Sequence, residues 1–192
     1  MLGIVEKEKI RERVHTCSKL PEFRSSVRRL PKRERIKRFP HLFSVRHALK
    51  TVFDYDEEIQ KAAKKTGVQR SAIQAIVFRE VLGFGIEDFL DFYRKNASRG
   101  ICQIKPSTAQ RADRDLGLPE PSHDEVCKKL RTPEGNITYC AKIVRTEAIR
   151  AGGNPKHMSD EELLEVFLRY NGSRSYARNV LAYCRAFEKY NS

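Results

Sequence analysis

Glu80 is a lone carboxylate in an otherwise apolar helical stripe: Ile73, Ile76, Val77, Glu80 and Phe84 recur at three- and four-residue spacing, which places them on one helical face. A surface glutamate would sit on the other side, near Gln74 or Arg79. Gly83, three residues on, reads as the helix stop, so Glu80 falls near the negative end of the helix dipole. Apolar burial and that dipole both favour the protonated carboxyl. A carboxylic acid kept protonated near neutral pH is a general acid, the group that glycosidic bond cleavage requires. The alternative from the helix alone is a glutamate paired with a distant Arg or Lys.

The elements that would position Glu80 are nearly all helical. Asp56 is expected to cap a helix running to about Lys65, with Ile59, Ala62 and Ala63 inward and Gly67 as its stop. Ser71 opens the helix that carries Glu80, and Ile86–Tyr93 reads as a further short helix. Asn96–Lys105 is non-periodic, at most a tiny hairpin, and Pro106 starts the next helix. Thr138–Ala151 is helical with Ile143, Val144 and Ala148 inward. Ser159 and Glu162 form a capping box for a helix over Glu161–Tyr170. Tyr176, Val180, Tyr183, Cys184, Phe187 and Tyr190 recur along a terminal core helix. The fold class expected is mostly α.

Charge divides the chain. Residues 1–50 hold 15 basic and 5 acidic side chains, which is +10 of the net +13 and leaves +3 on the remaining 142 residues. The reading is a basic helical N-terminal extension (1–48) on a nearly neutral domain (49–192). The extension is broken at Pro21, Pro31 and Pro40. Its default state is a solvated arm, with a weak apolar face of Ile4, Val5, Ile10 and Val14, and with Leu30, Ile36, Phe39, Leu42 and Phe43 able to dock on the body. Partners of the opposite charge are nucleic acid, anionic lipid or an anionic polymer such as a bacterial cell wall.

No apolar run reaches the roughly 20 residues that span a bilayer. The first residues, MLGIVEKEKIRERV, place charges where a secretory leader needs its apolar core, so Sec export is not expected. The five cysteines contain no C-x-x-C pair and no metal-type spacing with the five histidines. They read as reduced, mostly buried thiols, and neither metal nor organic cofactor is implied.

Three separated patches combine with this pattern: I-Q-A-I-V-F-R-E ending at Glu80, S-R-G-I-C-Q-I-K-P-S-T-A over 98–109, and F-L-R-Y-N-G-S over 167–173. Together they resemble the lysozyme-like lytic transglycosylases, the soluble lytic transglycosylase domain in particular. The resemblance runs over roughly residues 53–190. It implies a lysozyme-like helical domain that cleaves the bond between N-acetylmuramic acid and N-acetylglucosamine in peptidoglycan. Glu80 would act as general acid and then base, and Gln103 would hydrogen-bond the sugar or its acetamido group. Gly100 and Ser98 would lie along the glycan, Tyr170 would orient Glu80, Asn171 would shape the adjoining turn, and Tyr139 would be a further cleft aromatic. The basic residues 1–50 would hold the enzyme on anionic wall polymers. Without Sec export, such an enzyme would reach the wall on lysis, by a dedicated export route or on a phage particle.

The chain departs from the family pattern at Val81, where a serine is usual, and at Ile101-Cys102, where Leu-Met is usual. Glu87, Asp88 and Asp91 follow the candidate acid. If one of them supports a water, the outcome is hydrolysis by a muramidase instead of transglycosylation. From another class, a basic helical nucleic-acid-binding protein accounts for the charge of residues 1–50. It is disfavoured because no helix joins a basic stripe to a docking motif.

Overall fold

The computed structural model of the chain describes residues 4–26, 45–83 and 97–192. Over these residues it is mostly α. The helices are α1 (Ile4–Ser18), α2 (Pro21–Arg24), α3 (Val45–Asp54), α4 (Asp56–Thr66), α5 (Arg70–Gly83), α6 (Pro106–Asp115), α7 (His123–Leu130), α8 (Pro133–Arg150), α9 (Asp160–Asn171) and α10 (Arg174–Asn191). The only β-type pairing among the described residues is one antiparallel bridge, Arg99 with Ile104. The short helix expected over Ile86–Tyr93 and the docking residues Leu30, Ile36, Phe39, Leu42 and Phe43 lie outside the described residues.

Local chemistry explains most helix ends. In α4, Asp56, Glu57 and Glu58 occupy the first turn and Lys64 and Lys65 the last, each charge opposing the dipole end it faces. Gly67 then closes the helix in the left-handed region at φ 69°. Ser159 and Glu162 form the expected reciprocal box at the start of α9. Three expectations need correction. Asp56 is the first helical residue rather than the cap, and its carboxylate pairs with Arg13 and Arg70. Helix α7, opened by a Ser122–Glu125 capping box, falls in a stretch to which the sequence pattern assigned no helix. Helix α8 begins at Pro133 behind a Thr132 cap, five residues before the expected start.

Helix α5 is the hub, packed against α3, α4, α8 and α10. Its burial is almost complete: every residue from Ser71 to Arg79 is buried, as are Val81 and Leu82. The wheel argument that assigned Gln74 and Arg79 to a wet face is therefore overturned, because this helix has none. Gln74 accepts a hydrogen bond from Asn191 Nδ2 at 2.9 Å, and the Arg79 guanidinium lies 5.3 Å from the Tyr176 ring centroid. Helix α10 supplies the facing side chains Tyr176, Val180, Tyr183, Cys184 and Phe187.

Residues 4–26 are not a solvated arm. Helix α1 packs on α3, burying Ile10, Val14 and Cys17, while Val5 points outward and is 67% exposed. Phe23 is fully buried at the centre of an aromatic cluster, 4.8 Å from Phe78 and 4.9 Å from Phe187 between ring centroids. One continuous hydrophobic core runs from Ile10 to Phe187. The boundary expected at residue 48 also falls inside α3, whose Ala48 and Leu49 are both core residues.

Candidate functional site

Between Ser71 and Leu82 on α5, Glu80 is the one side chain that keeps partial exposure. It sits in the last turn, where the hub helix reaches the surface. Three groups from distant parts of the chain gather within electrostatic reach of its carboxylate. These are the Cys102 thiol and the Tyr170 and Tyr176 phenols. Burial pushes all three well above their ordinary pKa values, and the negative charge at Glu80 pushes each in the same direction. For Tyr176 the carboxylate is the largest influence after burial, acting by charge and as an acceptor facing the hydroxyl. The two groups do not close a hydrogen bond of standard geometry, and the Tyr176 oxygen has no other partner. All five cysteines are free and buried, and the Cys140 sulfur lies 3.9 Å from the Tyr170 hydroxyl as a weak acceptor.

Cys102 belongs to a tight hairpin turn. Arg99 and Ile104 exchange backbone hydrogen bonds at 2.9 and 3.0 Å, and Gln103 N donates to Gly100 O at 3.1 Å. Gly100 has φ +69° and Gln103 has φ 49°, so the reversal uses two left-handed residues. Gly100 is required on both counts: a Cβ there would meet Asn136 Nδ2 at 2.2 Å and Leu130 O at 2.8 Å. A left-handed conformation in the non-glycine Gln103 costs roughly 1 kcal/mol, which the surrounding bonds must offset.

Asn136 supplies those bonds. It is fully buried near the start of α8, and its Nδ2 donates to Arg99 O at 2.8 Å and to Leu130 O at 3.0 Å. Its Oδ1 accepts from Cys102 N at 2.8 Å. Tyr170 holds the other side of the turn, its hydroxyl donating to Cys102 O at 2.9 Å. The Tyr170 and Tyr176 rings stack at 6.4 Å with a 5° interplanar angle, tying the end of α9 to the start of α10. Gly172 at φ 79° makes the turn between those helices.

The residues expected at the site divide accordingly. Glu80, Tyr170 and the turn at Gly100–Gln103 lie together. Gln103 donates its Nε2 to Gly100 O at 3.1 Å, so one half of its amide braces the turn itself. Ser98 is half-buried next to the bridge, and Asn171 is exposed at the last residue of α9. Tyr139 is directed elsewhere. Its hydroxyl donates to Asp113 Oδ2 at 2.8 Å, and Lys142 pairs with the same carboxylate, joining α6 to α8. Burial, then Asp113, raises the Tyr139 phenol. The second-carboxylate candidates Glu87, Asp88 and Asp91 lie outside the described residues.

Two residues of the site carried signals that the sequence reading did not use. Asn136 stands on a helix face otherwise made of Ile137, Tyr139, Cys140, Ala141 and Val144, and a buried amide demands partners. Tyr176 was read only as core. Among the described residues, no group of His, Cys, Asp and Glu side chains could hold a metal ion, and no helix is long and apolar enough to cross a membrane. Comparison with protein-family models, with curated proteins and with solved structures finds no match for the chain.

Proposed function

We propose that the protein is a glycan-strand-cleaving enzyme of lysozyme-like fold that acts on peptidoglycan as a lytic transglycosylase. The observation that supports it most is the convergence at Glu80. The partly exposed carboxylate of a buried hub helix lies within electrostatic reach of Cys102 in the Gly100–Gln103 turn and of Tyr170, three patches separated in the chain. Glu80 delivers its proton to the glycosidic oxygen as positive charge develops on the muramic ring. The C6 hydroxyl of that ring then attacks the anomeric carbon and returns its proton to Glu80. The result is a 1,6-anhydro end with no water consumed. A single carboxylate suffices for both transfers.

The chain's own residues fit the supporting roles. Tyr170 and Asn136 hold the turn whose backbone and Gln103 amide would face the sugar. Position 81 is a buried valine, so no hydroxyl follows the acid in sequence, and the Tyr176 phenol faces the carboxylate without closing a standard hydrogen bond to it. The enzyme would meet its substrate at the cell wall, reached on lysis, by dedicated export or on a phage particle.

Digestion of purified cell walls followed by mass spectrometry of the muropeptides tests the reading. Wild-type protein is expected to release products lighter by one water than their hydrolysed equivalents. Glu80→Gln is expected to lose about 10²- to 10⁴-fold in rate while folding normally. Full lysis by Glu80→Gln would refute the assignment. Reducing ends from the wild type would convert it to a hydrolytic muramidase and direct attention to Glu87, Asp88 and Asp91.

A further inference from the structure

Two of the five buried thiols, Cys102 and Cys140, come together beside Glu80. Asn136 and Cys140 stand four residues apart on one face of α8, and Asn136 Oδ1 holds Cys102 N at 2.8 Å. That bond seats the turn on α8 and brings the Cys102 side chain within hydrogen-bonding reach of the Cys140 thiol. The Tyr170 hydroxyl touches both residues. It donates to Cys102 O at 2.9 Å and lies 3.9 Å from Cys140 Sγ. Both thiols are fully buried and free. The other cysteines have different surroundings: Cys17 lies near Arg13, Cys127 Sγ is 3.7 Å from His123 Nδ1, and Cys184 donates to Ser71 Oγ at 3.3 Å.

From this juxtaposition we propose that Cys102 and Cys140 are a disulfide-forming pair, a redox modification site that staples the Gly100–Gln103 turn to α8 beside Glu80. The oxidant is a thiol–disulfide exchange partner, either a low-molecular-weight disulfide or the oxidised form of a dithiol protein. One cysteine thiolate attacks the oxidant's S–S bond, which breaks to release one thiol and leave a mixed disulfide. The second cysteine attacks that mixed disulfide, the Cys102–Cys140 bond forms, and the other half of the oxidant leaves as a second thiol. Two electrons pass to the oxidant, and the two cysteine protons end on its two sulfurs. Burial holds the Cys102 thiol well above its ordinary pKa, so exchange needs an opening of the turn or takes place while the chain folds. The turn lies at the surface, with Gly100 exposed and Ile101 and Gln103 half-buried on either side of Cys102. The bond closes a loop over residues 102–140, which restricts the unfolded chain and adds a covalent tie to those made by Asn136 and Tyr170. Its bearing on turnover rests on the proposed cleavage of wall glycan: a chain made among reduced thiols would have this turn locked on reaching an oxidising compartment.

The full chain, first reduced, is incubated with oxidised glutathione. In a parallel arm it is unfolded in urea and refolded in mixed oxidised and reduced glutathione, so that burial does not block access. Intact-mass spectrometry should show the loss of two hydrogens, and peptide mapping should join the segments that contain Cys102 and Cys140. Cys102→Ser and Cys140→Ser should each abolish that link, whereas Cys127→Ser should keep it. The oxidised chain should have a thermal midpoint at least about 4 °C above that of the reduced chain, and dithiothreitol should reverse the shift. A link between any other pair, no link even after refolding, or a midpoint unchanged or lowered by oxidation would each overturn the proposal. Glu80→Gln should form the same bond with the same shift, so failure of the pair and failure of the catalytic reading are told apart.

Discussion

At the scale of single residues, Glu80 was legible because a carboxylate is costly in an apolar stripe, so its presence there signals either a partner or a task. The supporting argument from Gln74 and Arg79 failed for a physical reason. A helical wheel assumes one wet face, and a helix enclosed by α3, α4, α8 and α10 has none. Tyr139 and Tyr170 show the same limit, since each side chain's direction depends on a partner from another element: Asp113 for one, Cys102 O for the other. Tyr170→Phe separates the packing of the ring from the work of its hydroxyl. It leaves the stack on Tyr176 intact and frees the Cys102 carbonyl, at a cost of about 1–3 kcal/mol if that carbonyl stays dry. The expected outcome is a lowered turnover on cell walls with a modest loss of stability. Wild-type turnover with the same stability loss would assign the hydroxyl to structure alone.

At the scale of elements, helix ends were read well wherever the signal is local. Gly67, Pro106, and the Ser159–Glu162 box each act through atoms within a few residues. Helix α7 has the same kind of box at Ser122–Glu125, but its eight residues are too few for periodicity to stand out. The turn at 99–104 was foreseen only as a tiny hairpin. What fixes it is Asn136, some thirty residues away in sequence and joined both to Arg99 at the bridge and to Cys102 in the turn. Replacing Asn136 by Ala strands Cys102 N, Arg99 O and Leu130 O in a dry site. The expected cost is about 3 kcal/mol, seen as a lowered urea midpoint. Activity should fall further than stability predicts at temperatures where the variant is still folded, because the turn loses its register against Glu80. Activity in proportion to the folded fraction would show that the turn's position does not matter to turnover.

At the scale of the molecule, composition misled. The charge of residues 1–50 suggested an arm, because net charge averages over a helix and conceals a face such as Ile10, Val14 and Cys17. Phe23 offers the decisive comparison, since a solvated arm and a core segment give opposite answers when its ring is removed. It is fully buried against Phe78, Tyr183 and Phe187, all on the helices that carry or flank Glu80. Deleting such a ring costs about 3–5 kcal/mol through lost transfer energy and the cavity left behind. Phe23→Ala should therefore shift the single unfolding transition of the whole chain by that amount, measured by urea denaturation followed through far-ultraviolet circular dichroism. An exposed position would move it by less than about 0.5 kcal/mol. A shift of that small size, or a separate early transition of a minor fraction of the helix signal, would restore the boundary at residue 48. The full shift in one cooperative step would make the first helices part of the body that positions Glu80.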